Sequence, residues 1–190
     1  MSSLGLTSEA QTVELIPTAL DGCLEIRPFF SEDERGIFVK TFHAERFAEL
    51  GLPIDWREEY YSSSRKSVLR GMHFQTPPHD HEKLVYCLQG RVLDVVVDLR
   101  RASPTFGKHV AIQLNAERGN GLMISKGMAH GFLALSDDVL MAYKVTTVYS
   151  PSNDKGIRWD SFGAQWGISQ PIISARDAGH PALSEFVSPF

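Results

Sequence analysis

The stretch Leu93-Asp-Val-Val-Val-Asp-Leu99 decides the fold class, because its apolar residues recur with the period of a β-strand. Every odd position is apolar, whereas Asp94 and Asp98 share the other face, which predicts one face in a core and one in solvent. The segment 109–114 alternates in the same way, and shorter apolar runs follow at 122–124, 132–135 and 139–148. We therefore expect strand after strand from about residue 84 to 149.

Turn-forming residues separate these runs, as at 119–121 and 136–138. Many short strands with such turns between them are typical of a β-sandwich or a β-barrel. We predict an all-β, double-sheet jelly roll whose interior holds one small ligand. A short helix is predicted at 43–50, because Gly51 and Pro53 follow it.

The chain has 190 residues, 43% hydrophobic and 22% charged, which is typical of one globular domain and excludes a disordered chain. Nineteen basic residues against 23 acidic ones give a net charge of −4, which argues against a protein that grips a nucleic-acid backbone. No apolar run approaches the roughly 18 residues of a membrane span, and the N-terminus lacks the features of a secretory signal. Cys23 and Cys87 are interpreted as reduced core thiols, so we expect a cytoplasmic protein.

Histidine can carry a proton at neutral pH, because its ordinary pKa is about 6.5. Of the seven histidines, three are expected in solvent: His43, His109 and His180. His73 differs, because it lies in a strand-like run together with Arg70. Strict alternation places these two side chains on opposite faces, so they can share a pocket only if Gly71 forms a β-bulge. From the residues alone, a functional and a structural role for His73 are both open.

The run His79-Asp-His81-Glu82, together with His130, raises a metal-binding hypothesis. Jelly rolls of the cupin kind often hold a divalent ion through a His-x-His pair, a glutamate a few residues later and a histidine from a second motif. Here Glu82 follows His81 directly, and two prolines before the run indicate a loop. The spacing therefore favours a solvated loop over a metal site.

A set of longer motifs runs in order along most of the chain. They are Asp33-Glu-Arg35-Gly36, Ser67-Val-Leu-Arg70-Gly-Met-His73-Phe-Gln75, Lys83-Leu-Val, Gly127-Met-Ala-His130-Gly-Phe132, Tyr143-Lys144, Tyr149-Ser-Pro151 and Ser174-Ala-Arg-Asp177. These motifs resemble those of the dTDP-4-dehydrorhamnose 3,5-epimerase family, and the likeness covers about residues 20–182.

The resemblance implies a cupin-type double-stranded β-helix, that is, an all-β jelly roll with short peripheral helices and an N-terminal arm. We expect one domain over residues 1–190, with the arm at about 1–40, the barrel core at about 65–150 and a C-terminal segment at 151–190. The resemblance also implies a homodimer and catalysis without a metal or other cofactor. Its expected substrate is a nucleoside-diphosphate 4-keto-6-deoxyhexose, inverted at C3 and C5 in deoxysugar biosynthesis. No nucleic-acid or membrane partner is expected.

Four residues match the family's catalytic set. Inverting a carbon next to a ketone requires removal of its proton and return of a proton on the opposite face, and a base with a pKa near 7 suits this task. By resemblance the base is His73, and Asp177 is the carboxylate that orients its ring. Lys83 is the candidate donor to the enolate oxygen. Tyr143 matches the acid that returns the proton.

Seven further residues are assigned to substrate binding: Arg35, Phe38, Glu58, Arg70, Gln75, His130 and Tyr149. The guanidinium of Arg70 suits either the oxyanion or the diphosphate. In one unbroken strand Tyr143 and Tyr149 would lie roughly 20 Å apart, so Tyr149 is placed on the nucleotide side. Arg35 belongs to the early segment that, by resemblance, crosses to a partner barrel.

Three positions near the expected nucleotide site depart from the thymidine pattern: Lys40 replaces a frequent glutamate, Glu58 a frequent glutamine, and Val148 an aromatic residue. The nucleotide base is therefore open, and so is the choice between single epimerisation at C3 or C5 and double epimerisation. Two further readings compete with the epimerase. One is a metal-dependent cupin enzyme that uses His79, His81 and His130, and the other is a non-catalytic sugar-nucleotide binder.

Overall fold

The computed structural model describes residues 12–190. This part of the chain forms thirteen β-strands: β1 Glu14–Pro17, β2 Cys23–Arg27, β3 Phe29–Asp33, β4 Gly36–Lys40, β5 Glu58–Ser64, β6 Leu69–Gln75, β7 Lys83–Gln89, β8 Arg91–Asp98, β9 His109–Asn115, β10 Gly121–Ile124, β11 Met128–Ala134, β12 Val139–Val145 and β13 Asp154–Gly156. Its helical elements are α1 Ala44–Glu49, α2 Ala175–Ala178 and a 3₁₀ turn at Leu183–Glu185.

Two antiparallel sheets make up the barrel. One has six strands in the order β1-β2-β10-β7-β12-β5, and the other has five in the order β13-β6-β11-β8-β9. Side chains from both sheets form one hydrophobic core, including Val85 of β7, Val96 of β8 and Phe132 of β11. The predicted all-β jelly roll is confirmed.

Strand β8 is buried on both faces, unlike the half-solvated strand that its alternation predicts. Val96 packs in the core between the sheets. Val95 and Val97 pack on the outer side, in a second cluster with Trp166 and other residues of the C-terminal segment. A sheet that is covered on both faces needs no polar side.

The expectation that Asp94 and Asp98 face solvent is wrong, because both are fully buried. They share the side of β8 that carries Val96, which is the side towards the core. A buried carboxylate needs hydrogen-bond partners. Asp98 accepts them from Arg100 and from two hydroxyl groups nearby, and the partner of Asp94 belongs to the site described below.

The sheets extend beyond the segment 65–150 that was predicted as barrel core. Strands β1, β2 and β5 come before it and belong to the six-stranded sheet, and β13 comes after it in the other sheet. Of the predicted N-terminal arm, residues 1–11 lie outside the described part of the chain, whereas β3 and β4 form a separate two-stranded hairpin. The assignment of residues 1–190 to a single domain stays a prediction.

The predicted helix at 43–50 is confirmed as α1. His43, which was expected in solvent, is its N-cap and accepts a hydrogen bond from the backbone N–H of Arg46. Phe47 anchors the helix in a third hydrophobic cluster. No helix within residues 12–190 is long and apolar enough to cross a bilayer.

Candidate active site

The β-bulge that the sequence required at Gly71 is present. Three positions separate Arg70 from His73 on β6, but only two separate their partners Phe132 and His130 on β11. Gly71 has a φ of +138°, and a Cβ there would lie 2.6 Å from the Cα of Gly131, so only glycine fits. The extra residue turns both Arg70 and His73 towards one cavity.

This cavity has a volume of about 340 Å³ and is lined by residues of both sheets. Its wall includes most of the residues that the sequence assigned to the site: Glu58, Arg70, His73, Gln75, Lys83, His130, Tyr143 and Tyr149. A volume of this size accommodates a small ligand, and the residues that line it provide an imidazole, an ammonium group and a phenol. The roles of these residues remain predictions, but the fold does bring them together.

His73 and Asp177 form a hydrogen-bonded pair. The ring Nε2 lies 2.8 Å from Oδ1 of Asp177, and the other carboxylate oxygen accepts from the N–H of Gly71 at 3.1 Å. Burial raises the pKa of Asp177, but the hydrogen bond and charge of His73 and the Gly71 N–H outweigh it and lower the pKa to about 2. Because an ionised carboxylate can only accept, Nε2 carries the ring proton and Nδ1 keeps a lone pair for a substrate proton.

Asp177 lies on α2, a short helix of the C-terminal segment, and this helix places its side chain beside His73. Ser174 is the N-cap of α2, and its hydroxyl accepts from the backbone N–H of Asp177 at 3.0 Å. The cap role that Asp residues often play belongs here to Ser174. The side chain of Asp177 is therefore free to bond His73 and the bulge at Gly71.

Lys83 is buried at the start of β7, with 7% of the residue exposed. Burial lowers the pKa of Lys83 to about 8, although the charges of Asp94 and Asp154 act in the opposite direction. The side chain therefore carries a positive charge at neutral pH. A buried ammonium group that lines the cavity can stabilise a negative oxygen formed there.

Tyr143 presents its phenol to the same cavity. Its ring stacks on Tyr60 with centroids 4.8 Å apart, and its hydroxyl lies 3.2 Å from that of Ser62. Burial raises the pKa of Tyr143 well above its usual value. The group keeps its proton at neutral pH and can donate it to a carbanion.

Asp94 is a residue of the cavity region that sequence reasoning missed. Its two carboxylate oxygens both lie 2.9 Å from Nε2 of His130, and the pair is buried. Burial raises the pKa of Asp94 and lowers the pKa of His130. An aspartate inside an apolar run was the available signal, because burying it requires a partner.

Comparison with known proteins gives the family. The sequence model described as dTDP-4-dehydrorhamnose 3,5-epimerase matches residues 17–185. The dTDP-4-dehydrorhamnose 3,5-epimerase of Salmonella typhimurium is 42% identical over 175 residues, which cover 90% of this chain and 96% of that relative. This chain belongs to the dTDP-4-dehydrorhamnose 3,5-epimerase family.

A solved structure and a further sequence relative agree with this membership. A dTDP-6-deoxy-D-glucose 3,5-epimerase from Legionella pneumophila, crystallised with dTDP-4-keto-L-rhamnose, matches with a TM-score of 0.88 and 37% identity, covering 93% of this chain and 95% of that one. A dTDP-4-dehydrorhamnose 3-epimerase from Streptomyces niveus is 35% identical over 176 residues, which cover 91% of this chain and 85% of the relative. The chain is thus an isomerase whose relatives include both double and single epimerases.

Two side chains organise the open end of the cavity in the epimerase. The amide Oε1 of Gln75 accepts from the N–H of Ser150 at 2.6 Å, and its Nε2 donates to the carbonyl of His79 at 2.8 Å. Oε2 of Glu58 accepts from the N–H of Tyr149 at 2.7 Å. The bonds to Tyr149 and Ser150 hold the segment after β12 against the cavity wall.

Tyr143 and Tyr149 do not lie on one unbroken strand. Strand β12 ends at Val145, three residues before the predicted end at Val148. Tyr149 follows the end of the strand, and both tyrosines line the same cavity. Their distance along an unbroken strand therefore does not apply.

Arg35 and Phe38 lie on the β3–β4 hairpin and do not line the cavity of their own chain. Arg35 is paired with Asp33 at the surface, and Phe38 is 57% exposed. Arg70, by contrast, is held at the cavity by Ser64, whose hydroxyl accepts from its Nε at 3.0 Å.

Two expectations about histidines need correction. His180 was expected in solvent, but only 12% of its side chain is exposed, and its Nε2 lies 3.8 Å from Oδ1 of Asp177. His109 is half-buried, with its ring edge-on to Phe162. Within residues 12–190 the side chains of His79, His81 and His130 bring no set of ligand atoms together, so the geometry does not fit the metal-dependent cupin alternative.

Proposed function

We propose that this chain inverts C3 and C5 of a nucleoside-diphosphate 4-keto-6-deoxyhexose of the dTDP-4-dehydro-6-deoxyglucose type, in deoxysugar biosynthesis. One observation carries the proposal: the His73 imidazole, the Lys83 ammonium and the Tyr143 phenol line a single cavity of sugar size, and Asp177 is hydrogen-bonded to His73. A protein that only binds a sugar nucleotide needs no such combination of base, cation and acid.

In the first step Nδ1 of His73 removes the proton from the carbon next to the ketone. The electron pair of that C–H bond becomes the C=C bond of an enolate, and the carbonyl π pair moves onto the oxygen. Lys83 donates to this oxygen, and Asp177 stabilises the imidazolium through Nε2–H. A positioned general base contributes roughly 10²–10⁴-fold.

In the second step the phenol of Tyr143 donates its proton to the opposite face of the same carbon, and the enolate collapses to the ketone. The phenolate then regains a proton from solvent, and His73 releases its own. The bond between the hydroxyl groups of Tyr143 and Ser62 supports this role, because it holds the phenol in place.

We propose that the nucleotide lies at the open end of the cavity, near Glu58 and Tyr149. The carboxylate of Glu58 can only accept hydrogen bonds, whereas thymine offers a single N–H between two carbonyls. Cytosine and guanine each offer an amine to a carboxylate. The relatives named above act on dTDP sugars, so dTDP remains our first choice and a cytidine or guanosine sugar the alternative.

We also propose that the chain is a homodimer in the cytoplasm. Ile37 and Phe38 are 50% and 57% exposed on β4, a hairpin strand outside the main sheets. A partner barrel can cover this apolar surface and receive Arg35 and Phe38 at its own cavity. The buried, unpaired thiols of Cys23 and Cys87 agree with a reducing compartment.

Phe38→Asp tests the dimer without removing β1 and β2, which belong to the main sheet. We expect a monomer in sedimentation, with lower activity. A fully active Phe38→Asp monomer contradicts the assignment.

NMR in D₂O with dTDP-4-dehydro-6-deoxyglucose tests the activity. We expect deuterium at C3 and at C5, with inversion at both carbons. In Tyr143→Phe we expect exchange at C3 to survive while completed inversion, above all at C5, is lost. Deuterium at C3 alone in the wild type favours the single epimerase, which is the second candidate because of the Streptomyces niveus relative. Absence of exchange at both carbons contradicts the proposed function.

A further inference from the structure

The side chains of His73, Asp177 and His180, all of types that can bind a metal ion, lie close together. Ligand atoms of His73, Asp177 and His180 all lie within 4.8 Å of one another. Oδ1 of Asp177 is 2.8 Å from Nε2 of His73 and 3.8 Å from Nε2 of His180. Within residues 12–190 no other histidines, cysteines or carboxylates form such a group.

The position of His180 is energetically unfavourable for its ring. Its Nε2 is buried and has no hydrogen-bond partner, and an unpaired buried polar atom destabilises the folded state. Position 156 must be glycine to leave it room, because a Cβ there would lie 2.3 Å from this nitrogen. An unpaired ring nitrogen beside a second histidine and a carboxylate is what a cation site provides.

The donor set and its spacing suit Zn²⁺. Two imidazole nitrogens and one carboxylate oxygen are ordinary zinc ligands, with bonds of about 2.0–2.2 Å that set neighbouring ligand atoms about 3.3 Å apart in a tetrahedron. The two separations from Asp177 fall on either side of that value. A second cavity of about 430 Å³, lined by His73, Arg176 and Asp177, gives an ion access from solvent. The charge of Arg176 is balanced there by Asp154, 2.7 Å away.

We propose that His73, Asp177 and His180 bind one Zn²⁺ ion, with water in the fourth position, and that the bound ion inhibits the enzyme. The binding part stands on the three side chains alone. The inhibition part rests on the proposed function of His73 as the base.

The inhibition follows from the ring proton. In the free protein neutral His73 carries its proton on Nε2 and keeps a lone pair on Nδ1. Zn²⁺ takes the lone pair of Nε2, so the proton on that atom leaves to solvent and Nδ1 takes one up, and the ring stays neutral. With a proton on Nδ1 the ring has no lone pair for the substrate's C–H proton. The bound ion therefore prevents His73 from accepting the substrate's proton, although the side chain stays in place.

Zinc binding is measured with chelator-treated protein in competition with a chromogenic chelator. We expect one Zn²⁺ per wild-type chain, and an affinity at least about tenfold lower in His180→Asn. His79→Asn is the matched control, because it removes a histidine near the cavity that is outside the cluster, and it should bind as the wild type does. With Co²⁺ in place of Zn²⁺, the visible absorption of a four-coordinate ion should appear in the wild type and be lost in His180→Asn.

Activity gives the second readout. His180→Asn should turn over normally in chelator and should resist zinc concentrations that inhibit the wild type, and added chelator should restore the wild type. If His180→Asn does not fold, His180→Gln takes its place, with thermal unfolding as the check. Equal zinc affinity in the wild type and the His180 variant, or loss of binding in His79→Asn, overturns the site. Stoichiometric binding without inhibition overturns the inhibitory role. The chelator competition and the cobalt spectrum do not depend on the proposed activity, so failure of one proposal is distinguishable from failure of the other.

Discussion

Within residues 12–190, two histidine–aspartate pairs are at hydrogen-bond distance, and they differ in how far water reaches them. The side chain of His73 is 30% exposed beside Asp177, whereas His130 is 4% exposed beside an Asp94 that is fully buried. The carboxyl groups respond in opposite directions. Burial raises the pKa of Asp94, but at Asp177 the bonds and charge of His73 and the Gly71 N–H overcome burial and lower the pKa to about 2.

The difference shows that residue type does not decide the role of such a pair. The open pair joins an ionised carboxylate to a ring that a substrate can reach, which is the arrangement of a general base. The sealed pair holds its partners in a low-dielectric interior, where each mainly satisfies the other. We therefore expect changes in the first pair to affect turnover and changes in the second to affect stability.

The largest expected effect is that of His73→Asn. The substitution removes the base from the open pair, so kcat should fall by at least about 10³-fold. The midpoint of thermal unfolding should stay close to that of the wild type, because the ring is partly in solvent. Turnover at the wild-type rate by a stably folded variant would remove His73 from the mechanism.

Lys83 lies near both pairs. Its charge interacts with that of Asp94, and its side chain lines the same cavity as His73. Its pKa of about 8 results mainly from burial, so kcat/KM should fall as pH rises through about 8, where the ammonium group loses its proton. Lys83→Met should lower kcat by about 10²–10³-fold and abolish this alkaline limb.

The stability of the protein should not fall over the pH range in which kcat/KM falls. An unfolded lysine stays protonated to a pKa of about 10.4, so between pH 8 and that value the unfolded chain binds more protons at this site. The contribution of Lys83 to the free energy of unfolding therefore increases as pH rises over this range. A drop in unfolding temperature that matches the loss of activity would assign the limb to unfolding instead.

His130→Leu tests the sealed pair. It leaves the carboxyl group of Asp94 buried without its donor, so the free energy of unfolding should fall by about 1–3 kcal/mol. The double variant with Asp94→Leu should recover part of this loss, because both polar partners are then gone. Denaturant unfolding of the three proteins measures it. No change in the single variant would mean that the pair contributes little to stability.

The smallest expected effect concerns a third carboxylate, that of Glu58, which accepts from a backbone N–H at the cavity mouth. Glu58→Gln should improve dTDP binding by roughly 1 kcal/mol, the scale of one hydrogen bond, because an amide can also donate to thymine. Calorimetric titration of dTDP, CDP and GDP into both proteins decides it. Tighter dTDP binding by the wild type would show that Glu58 does not contact the base.

Local patterns were enough for much of the architecture. The strands β8 and β9, the stop after α1 and the bulge at Gly71 each depend on a few neighbouring residues, and the structure confirms them, although the solvent-facing side expected of β8 is buried. Strand ends were less certain, as β12 shows. It stops at Val145, three residues before the predicted end at Val148, and the residues that follow contribute Thr147 and Tyr149 to the cavity wall.

What the sequence by itself determined was the all-β jelly roll, the family and the set of residues that could do acid–base chemistry, because periodicity and motif spacing are local properties. Only the tertiary structure decided which face of β8 points into the barrel, and therefore that Asp94 is buried against His130. It also decided that His180 lies behind the base. The first result depends on the pairing of β8 with β11 and on the packing of the two sheets, and the second on the C-terminal segment covering the outer face of the five-stranded sheet. Both are contacts between residues far apart in the chain, which no local pattern encodes.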